Sequence, residues 1–380
     1  MKVIYLVESR FTKRDYDRFG IKTLTERGND VEVWDLSGWF RPAYFKKYSP
    51  PDLLPDGSCK IVLNKRDFLD LLKPPAANSI FICIFRPNIK SLAIFDYLNQ
   101  KGGKYGFIYF GHYPCHSHIS RLRRALSDPL FVLKRLIDSI IVKLYTLMIL
   151  PIDANFIILG GASATSSYIG PATKILKAHT LDYDLLLSLE GEPKISHSER
   201  YIVYLDDYGP NHPDDIGDNT SIDPAIYYEK LNFFFDKLEL ELGMKVVIAP
   251  HPRSDYKRIG NPFNGRLITD QSTIQSVKNS FLVVSHASTA TSFAVLYYKP
   301  MLFITTNLYP AYTQEIIKNM AGFFHKTPFD ISIADLVISD DDLKVNRQIY
   351  NSYKDLYIKE SGTPEIKVWS LFADYLDSIK

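Results

Sequence analysis

Tyr201-Ile-Val-Tyr-Leu-Asp-Asp-Tyr-Gly209 is an apolar run that passes without a break into two adjacent carboxylates. The run is too short for a helix and reads as a buried strand whose carboxyl end opens into a polar loop. The same grammar returns twice downstream. Residues 245–249 lead into Pro250-His251-Pro252-Arg253, and residues 281–284 lead into Ser285-His286-Ala287-Ser288-Thr289. Helical patterns at about 224–242, 272–279 and 288–298 separate these runs, short strands are expected at 266–268 and 301–304, and the alternation describes a parallel sheet covered on both faces.

Moving toward the N-terminus, the same rhythm appears once more. An apolar run at 3–7 precedes a polar helical stretch at about 11–27, Gly28 closes that stretch, and Val31-Glu-Val-Trp34 follows as a second strand. Further runs lie at 79–85, 106–110 and 156–159. The expected organisation is therefore α/β, with two doubly wound Rossmann-like domains facing a cleft. Residues 1–187 form the first domain, the polar Gly- and Pro-containing segment 188–200 is a linker, and residues 201–345 form the second. Residues 346–380 read as one or two helices crossing back to the first domain.

The composition narrows the function classes. A chain of 380 residues with 46% hydrophobic and 23% charged side chains builds cores of ordinary globular size. Its 45 basic and 43 acidic residues leave a net charge of +2, which argues against nucleic acid as the main partner. Cys59, Cys83 and Cys115 show no paired spacing, so neither a disulfide framework nor a zinc knuckle is expected, and a reducing, cytoplasmic setting fits. No Gly-x-Gly-x-x-Gly follows the first strand, where Glu8-Ser9-Arg10 stands, which argues against a nicotinamide-dependent dehydrogenase. The apolar segment 129–150 carries Lys134, Arg135, Asp138 and Lys143, too many charges for a membrane span. The wider segment 119–150 reads equally as a basic amphipathic helix lying on an anionic membrane surface, which would make the protein peripheral, or as a core helix with its basic residues in water.

In an open α/β sheet, ligands bind beyond the carboxyl ends of the strands, so the three quoted loops are the first place to look for chemistry. Ser285, Ser288 and Thr289 precede an apolar helical run, where hydroxyls and free backbone N–H groups suit a phosphate; helix capping by Ser288 or Thr289 is the competing role. His251 is stiffened by a proline on each side, and Pro252 and Arg253 complete a loop able to donate a hydrogen bond and a positive charge. Asp206 or Asp207 is a candidate general base, with turn formation as the alternative. Asp214, Asp215 and Asp218 lack a calcium-loop spacing and are expected to be solvated. In the first domain, Gly111 and His112 open a stretch with three histidines and Cys115 whose spacing fits no zinc signature, so no metal is expected and the pair is assigned to the cleft wall. Gly160 and Gly161 follow a strand and could admit a ligand close to the backbone.

Together the three loops resemble the motif set of bacterial sialyltransferases, an acidic pair followed by Gly, then His-Pro, then Ser-Ser or Ser-Thr. Asp206-Asp207 with Gly209, His251-Pro252 and Ser288-Thr289 match in order, and Tyr208 is an insertion that leaves both aspartates open as the base. Residues 178–184, Ala-His-Thr-Leu-Asp-Tyr-Asp, are similar to sequences in capsule and lipopolysaccharide glycosyltransferases. The resemblance covers mainly residues 178–305. It implies the two-domain GT-B arrangement and inverting transfer of a nonulosonic acid (sialic, legionaminic or pseudaminic type) from a CMP-activated donor to a glycan or glycolipid hydroxyl, with no metal or further cofactor. In that reading His251 stabilises the departing CMP phosphate and Ser288 with Thr289 binds it. The alternatives are a GT-B transferase using CMP-Kdo or a UDP-sugar, a sugar-nucleotide 2-epimerase, and a non-catalytic protein on the same fold.

Overall fold

The computed structural model describes residues 1–50, 52–55, 57–72, 78–110, 113–114, 124–126, 128–189, 200–212 and 222–379. Gly111, His112, residues 119–123, most of the linker and Asp214, Asp215 and Asp218 lie outside the described residues, and the expectations for them stand as made. The chain divides into two compact units, the described parts of Met1–Phe110, Leu130–Asp184 and Lys359–Lys380 in one and of Gly111–Pro129 and Leu185–Ile358 in the other.

In the first unit, β1 (Lys2–Val7), β2 (Asp30–Asp35), β3 (Lys60–Ile61), β4 (Ser79–Ile84), β5 (Lys104–Tyr109), β6 (Phe156–Gly160) and β7 (Lys174–Ala178) form one sheet in the order β3-β2-β1-β4-β5-β6-β7. Every pairing is parallel. Val3, Tyr5 and Val7 enter the core cluster on one face and Ile4 and Leu6 the cluster on the other, which is why the strand is a continuous apolar run without polar alternation. The helical stretch expected at 11–27 is two helices, Lys13–Arg18 and Ile21–Glu26. They break at Gly20, whose φ is 62° and where a β-carbon would stand 2.1 Å from Cγ of Trp369. The chain must pass so close to that indole that only glycine fits.

The C-terminal region holds two α-helices, as expected, with a π turn continuing the first. Helix Arg347–Tyr353 runs into a π turn at Lys354–Ile358 and packs Tyr350 and Tyr353 against Phe324 in the second unit. The last helix, Val368–Ser378, crosses back as expected and belongs to the first unit. Trp369 lies edge-on to Tyr5 and donates its indole N–H to the Arg18 carbonyl at 2.7 Å. The segment 179–184 clasps the approach to this helix. His179 Nε2 lies 2.9 Å from the Ile366 carbonyl, Tyr183 donates to Glu365 at 2.8 Å, and Asp184 accepts the Val368 N–H at 3.0 Å.

The second unit holds β8 (Tyr201–Leu205), β9 (Lys245–Ala249), β10 (Leu282–Ser285), β11 (Met301–Thr305) and β12 (Phe329–Asp330) in the order β12-β11-β10-β8-β9. The chain goes from β8 to β9 on one side and then to β10 on the other, so the order reverses between β8 and β10. In such sheets ligands usually sit beyond the carboxyl ends of the two strands that flank the reversal.

Candidate active site

Register brings the loops of the second unit to one level. Leu205 pairs with Ala249 on one side and with Ser285 on the other, so the residues that follow each strand leave the sheet edge side by side. Asp206 and Asp207, Pro250 to Arg253, and His286 to Thr289 therefore meet at the strand-order reversal. The loop after β11 joins them through Tyr309.

Asp206 is the buried member of the carboxylate pair, at 7% exposure. Its Oδ1 accepts the Tyr208 N–H at 3.0 Å, and its Oδ2 accepts the His251 N–H at 3.2 Å and the Tyr256 hydroxyl at 2.8 Å. One carboxylate thus ties the β8 loop to the β9 loop, each hydrogen bond to its charged form being worth about 1.5–3 kcal/mol when intact. Tyr208, the residue inserted in the motif, sits in the left-handed region at φ 58°. Its N–H bond to Asp206 and the 3₁₀ turn at Gly209–Asn211 hold that strained geometry.

Asp207 is different. Its side chain is 27% exposed, its Oδ1 accepts the Gly209 N–H at 3.0 Å, its Oδ2 accepts the Tyr309 hydroxyl at 2.9 Å, and His286 Nε2 stands 3.9 Å away. Desolvation acts on both carboxyls. In Asp206 it dominates, and with the neighbouring Asp207 charge it pushes the group up to about 7 despite the three donors. In Asp207 it is outweighed by His286, the Gly209 N–H and the Tyr309 hydroxyl, which hold the group below the ordinary aspartate range. Two adjacent carboxyls with pKa values driven apart can hold different protonation states at neutral pH, the arrangement acid–base chemistry uses.

The raised Asp206 group has a consequence for stability. Because the folded state keeps this proton to a higher pH than the unfolded chain, stability from this group is greatest below about pH 4 and falls as pH rises toward 7. Thermal unfolding of wild type and Asp206→Asn across pH 4.5–8 should show the wild-type advantage shrinking with rising pH and levelling above about 7. A difference independent of pH would contradict the assignment. The depressed Asp207 group acts in another window, losing its contribution only as pH falls below the usual carboxylate range.

His286 is part of the site's foundation. It is buried, its Nδ1 lies 2.9 Å from the Ile304 carbonyl, and its Nε2 lies 3.1 Å from the Tyr227 hydroxyl. A carbonyl only accepts, so Nδ1 carries a proton and donates it to Ile304, which leaves Nε2 facing the Tyr227 hydroxyl and the Asp207 carboxylate. The Tyr204 hydroxyl lies 3.3 Å from that of Tyr227, while Tyr309 spends its proton on Asp207. His251 presents the opposite tautomer. The Arg253 N–H donates to its Nδ1 at 3.2 Å, so a ring with one proton carries it on Nε2. His212 packs edge-on against it with ring centroids 5.0 Å apart.

The Ser-Thr loop departs from expectation. The helix expected from 288 begins only at Thr291 and ends at Leu296, and neither Ser288 nor Thr289 caps it. Residues 288–290 form a turn instead, in which Ser288 Oγ accepts the Ala290 N–H at 3.2 Å and Thr291 N–H bonds the Ser288 carbonyl. Ser285 is buried beneath this turn's start, and its hydroxyl, like that of Thr291, has no hydrogen-bond partner among the described residues; Thr289 is exposed. In the first unit, Gly160 does not open a space for a ligand, because a β-carbon there would stand 2.8 Å from the Phe110 ring. Its missing side chain accommodates this packing and the start of the segment after β7. Gly161 adopts a φ of 85°. Tyr256 and Tyr309, which hydrogen-bond the two aspartates, are absent from the motifs. Tyr309 follows a strand end and was findable by the same loop rule; Tyr256 is brought in by the path of the β9 loop and had no local signal.

No protein-family model matches the sequence, and no curated protein matches it. Among solved structures the chain is similar to two of the wall teichoic acid polymerase TagF, histidine variants, the second soaked with CDPG. They share 11% and 10% identity with TM-scores of 0.53 and 0.52, covering 100% of this chain and 89% and 88% of theirs. The chain has the GT-B fold. A UDP-GlcNAc 2-epimerase from Neisseria meningitidis bound to UDP-GlcNAc is also similar, at 12% identity and a TM-score of 0.46, covering 100% of this chain and 99% of that one. In GT-B terms the aspartate pair, His251 and the Ser-Thr turn all lie on the C-terminal unit, at the carboxyl edge of its sheet.

Proposed function

We propose that this protein is a nucleotide-sugar-dependent glycosyltransferase and, more finely, that it moves a nonulosonic acid from a CMP-activated donor to a glycan or glycolipid hydroxyl with inversion. A cytoplasmic setting goes with this reading. The observation that carries the transfer chemistry is the adjacent Asp206 and Asp207 at the strand-order reversal, with His251 held against Asp206 through its backbone N–H. The finer donor assignment rests on the resemblance of the three loops.

The chemistry divides among these residues. Asp207, ionised and open to solvent on one side, takes the proton of the attacking hydroxyl as its oxygen bonds the anomeric carbon. The bond from that carbon to the phosphate oxygen breaks, and the electron pair leaves with CMP. Nε2–H of His251 and the charge of Arg253 meet the negative charge growing on the phosphate, an interaction stronger in the transition state than in the ground state. Thr289, exposed at the turn, and Ser288 complete the phosphate's surroundings. Asp206 positions His251 and does not itself touch substrate.

Calorimetric titration with CMP, CDP and UDP tests the reading. CMP should bind most tightly, and His251→Ala should weaken it ten- to a hundred-fold, as expected for loss of a hydrogen bond to a charged group. A clear preference for UDP would overturn the CMP assignment, and no binding of any nucleotide would overturn the transferase reading itself.

A further inference from the structure

Helix Pro129–Met148 of the first unit is built the wrong way round for a core helix. Leu133, Leu136, Ile137, Ile140, Leu144 and Leu147 recur at helical spacing along one stripe, and each is about half or more exposed, Leu147 at 72%. The opposite face makes the contacts with the unit: Val142 is buried, Tyr145 donates to Asp96 at 2.7 Å, and Asp138 accepts the Ile89 N–H at 3.0 Å. At 100° per residue the outward stripe is bordered by Lys134 on one side and Lys143 on the other, both exposed. Asp138 is the helix's sole carboxylate, and it is turned inward. Lys90, half-lined by the Trp39 and Phe40 carbonyls, lies near enough to Lys134 for burial and that like charge to lower its pKa. No helix among the described residues is long and apolar enough to cross a membrane.

We infer that this helix docks the protein on an anionic lipid bilayer, its leucine and isoleucine stripe entering the acyl boundary while Lys134 and Lys143 meet lipid phosphates. The charge pattern selects this occupant. A stripe buried against a second copy would face each copy's lysines toward the other's, with no outward carboxylate on the helix to pair them. An anionic surface neutralises both edges at once, each lysine adding about fivefold to partitioning and each buried apolar side chain about tenfold or more. The inference is independent of which nucleotide the second unit binds.

Flotation of the full chain with vesicles of phosphatidylglycerol and phosphatidylcholine in equal parts, and with phosphatidylcholine alone, tests it. Wild type should float with the anionic vesicles and not with the neutral ones, and binding should weaken with added salt. Leu136→Ser with Ile140→Ser and Leu144→Ser should abolish flotation; Lys134→Gln with Lys143→Gln should weaken it about thirty-fold. All five positions are exposed, and an unchanged thermal unfolding midpoint and nucleotide titration would separate lost docking from lost folding. Wild type failing to float, or floating equally after both sets of changes, would overturn the inference. So would light scattering that finds a dimer which the triple serine variant converts to monomer, since the stripe would then be an interface between copies.

Discussion

Asp207→Asn is expected to lower turnover about a thousand-fold while leaving nucleotide affinity within about threefold of wild type, the signature of a lost general base. The environment of the pair makes this a sharp expectation. Asp207 is ionised, partly open, and held among the described residues by one backbone N–H and one tyrosine hydroxyl, so an amide of the same shape can sit in its place. The companion change Asp206→Asn should behave differently. An amide cannot accept from Tyr208, His251 and Tyr256 on both its ends, so one donor is left facing an NH₂ group at a cost of about 1–3 kcal/mol. Its effect should therefore appear in stability and in nucleotide affinity, through a displaced His251. Measured with any donor that the titration identifies, full activity of Asp207→Asn would remove it from the role of base, and a rate collapse confined to Asp206→Asn would exchange the two assignments.

Trp369→Ala should be the most destabilising single change in the first unit, about 3–5 kcal/mol, because it opens a cavity under β1 and removes the partner of the Arg18 carbonyl. Gly20 makes the site unforgiving. The chain already approaches the indole so closely that no side chain fits there, so no neighbouring side chain at this position can swing in to fill the gap. Urea unfolding followed by the fluorescence of the remaining tryptophans, Trp34 and Trp39, both in the first unit, should show an earlier transition for that unit. If the transition kept its midpoint, the C-terminal helix would be an ornament on the sheet and its packing energetically idle.

Much of the fold was readable along the chain because parallel strands buried on both faces write themselves as unbroken apolar runs, as in Val3-Ile4-Tyr5-Leu6-Val7 and residues 201–205. Helix limits were less readable. The break at Gly20 answers to an indole almost 350 positions away in the chain, as the Arg18 bond to Trp369 at a separation of 351 makes plain, and no window of local sequence contains both. The delayed start of the helix at Thr291 likewise reflects a turn closed by the Ser288 hydroxyl, an alternative that short polar side chains always offer before a helix.

By itself, the sequence determined the alternation of strands and helices, the placing of aspartates, histidine and hydroxyls after strand ends, and a segment at 119–150 carrying both apolar and basic residues. These follow from local spacing and residue chemistry, which need no partner to be read. Tertiary structure alone decided that Asp206 is the buried carboxyl and Asp207 the open one, that Tyr256 and Tyr309 serve them, that His286 is a buried support and His251 accepts the Arg253 N–H on Nδ1, and that the apolar stripe of helix Pro129–Met148 faces outward. Each of these depends on burial and on hydrogen bonds between residues far apart in the chain, and desolvation and donor count are properties of a position in space that adjacent residues such as Asp206 and Asp207 do not share.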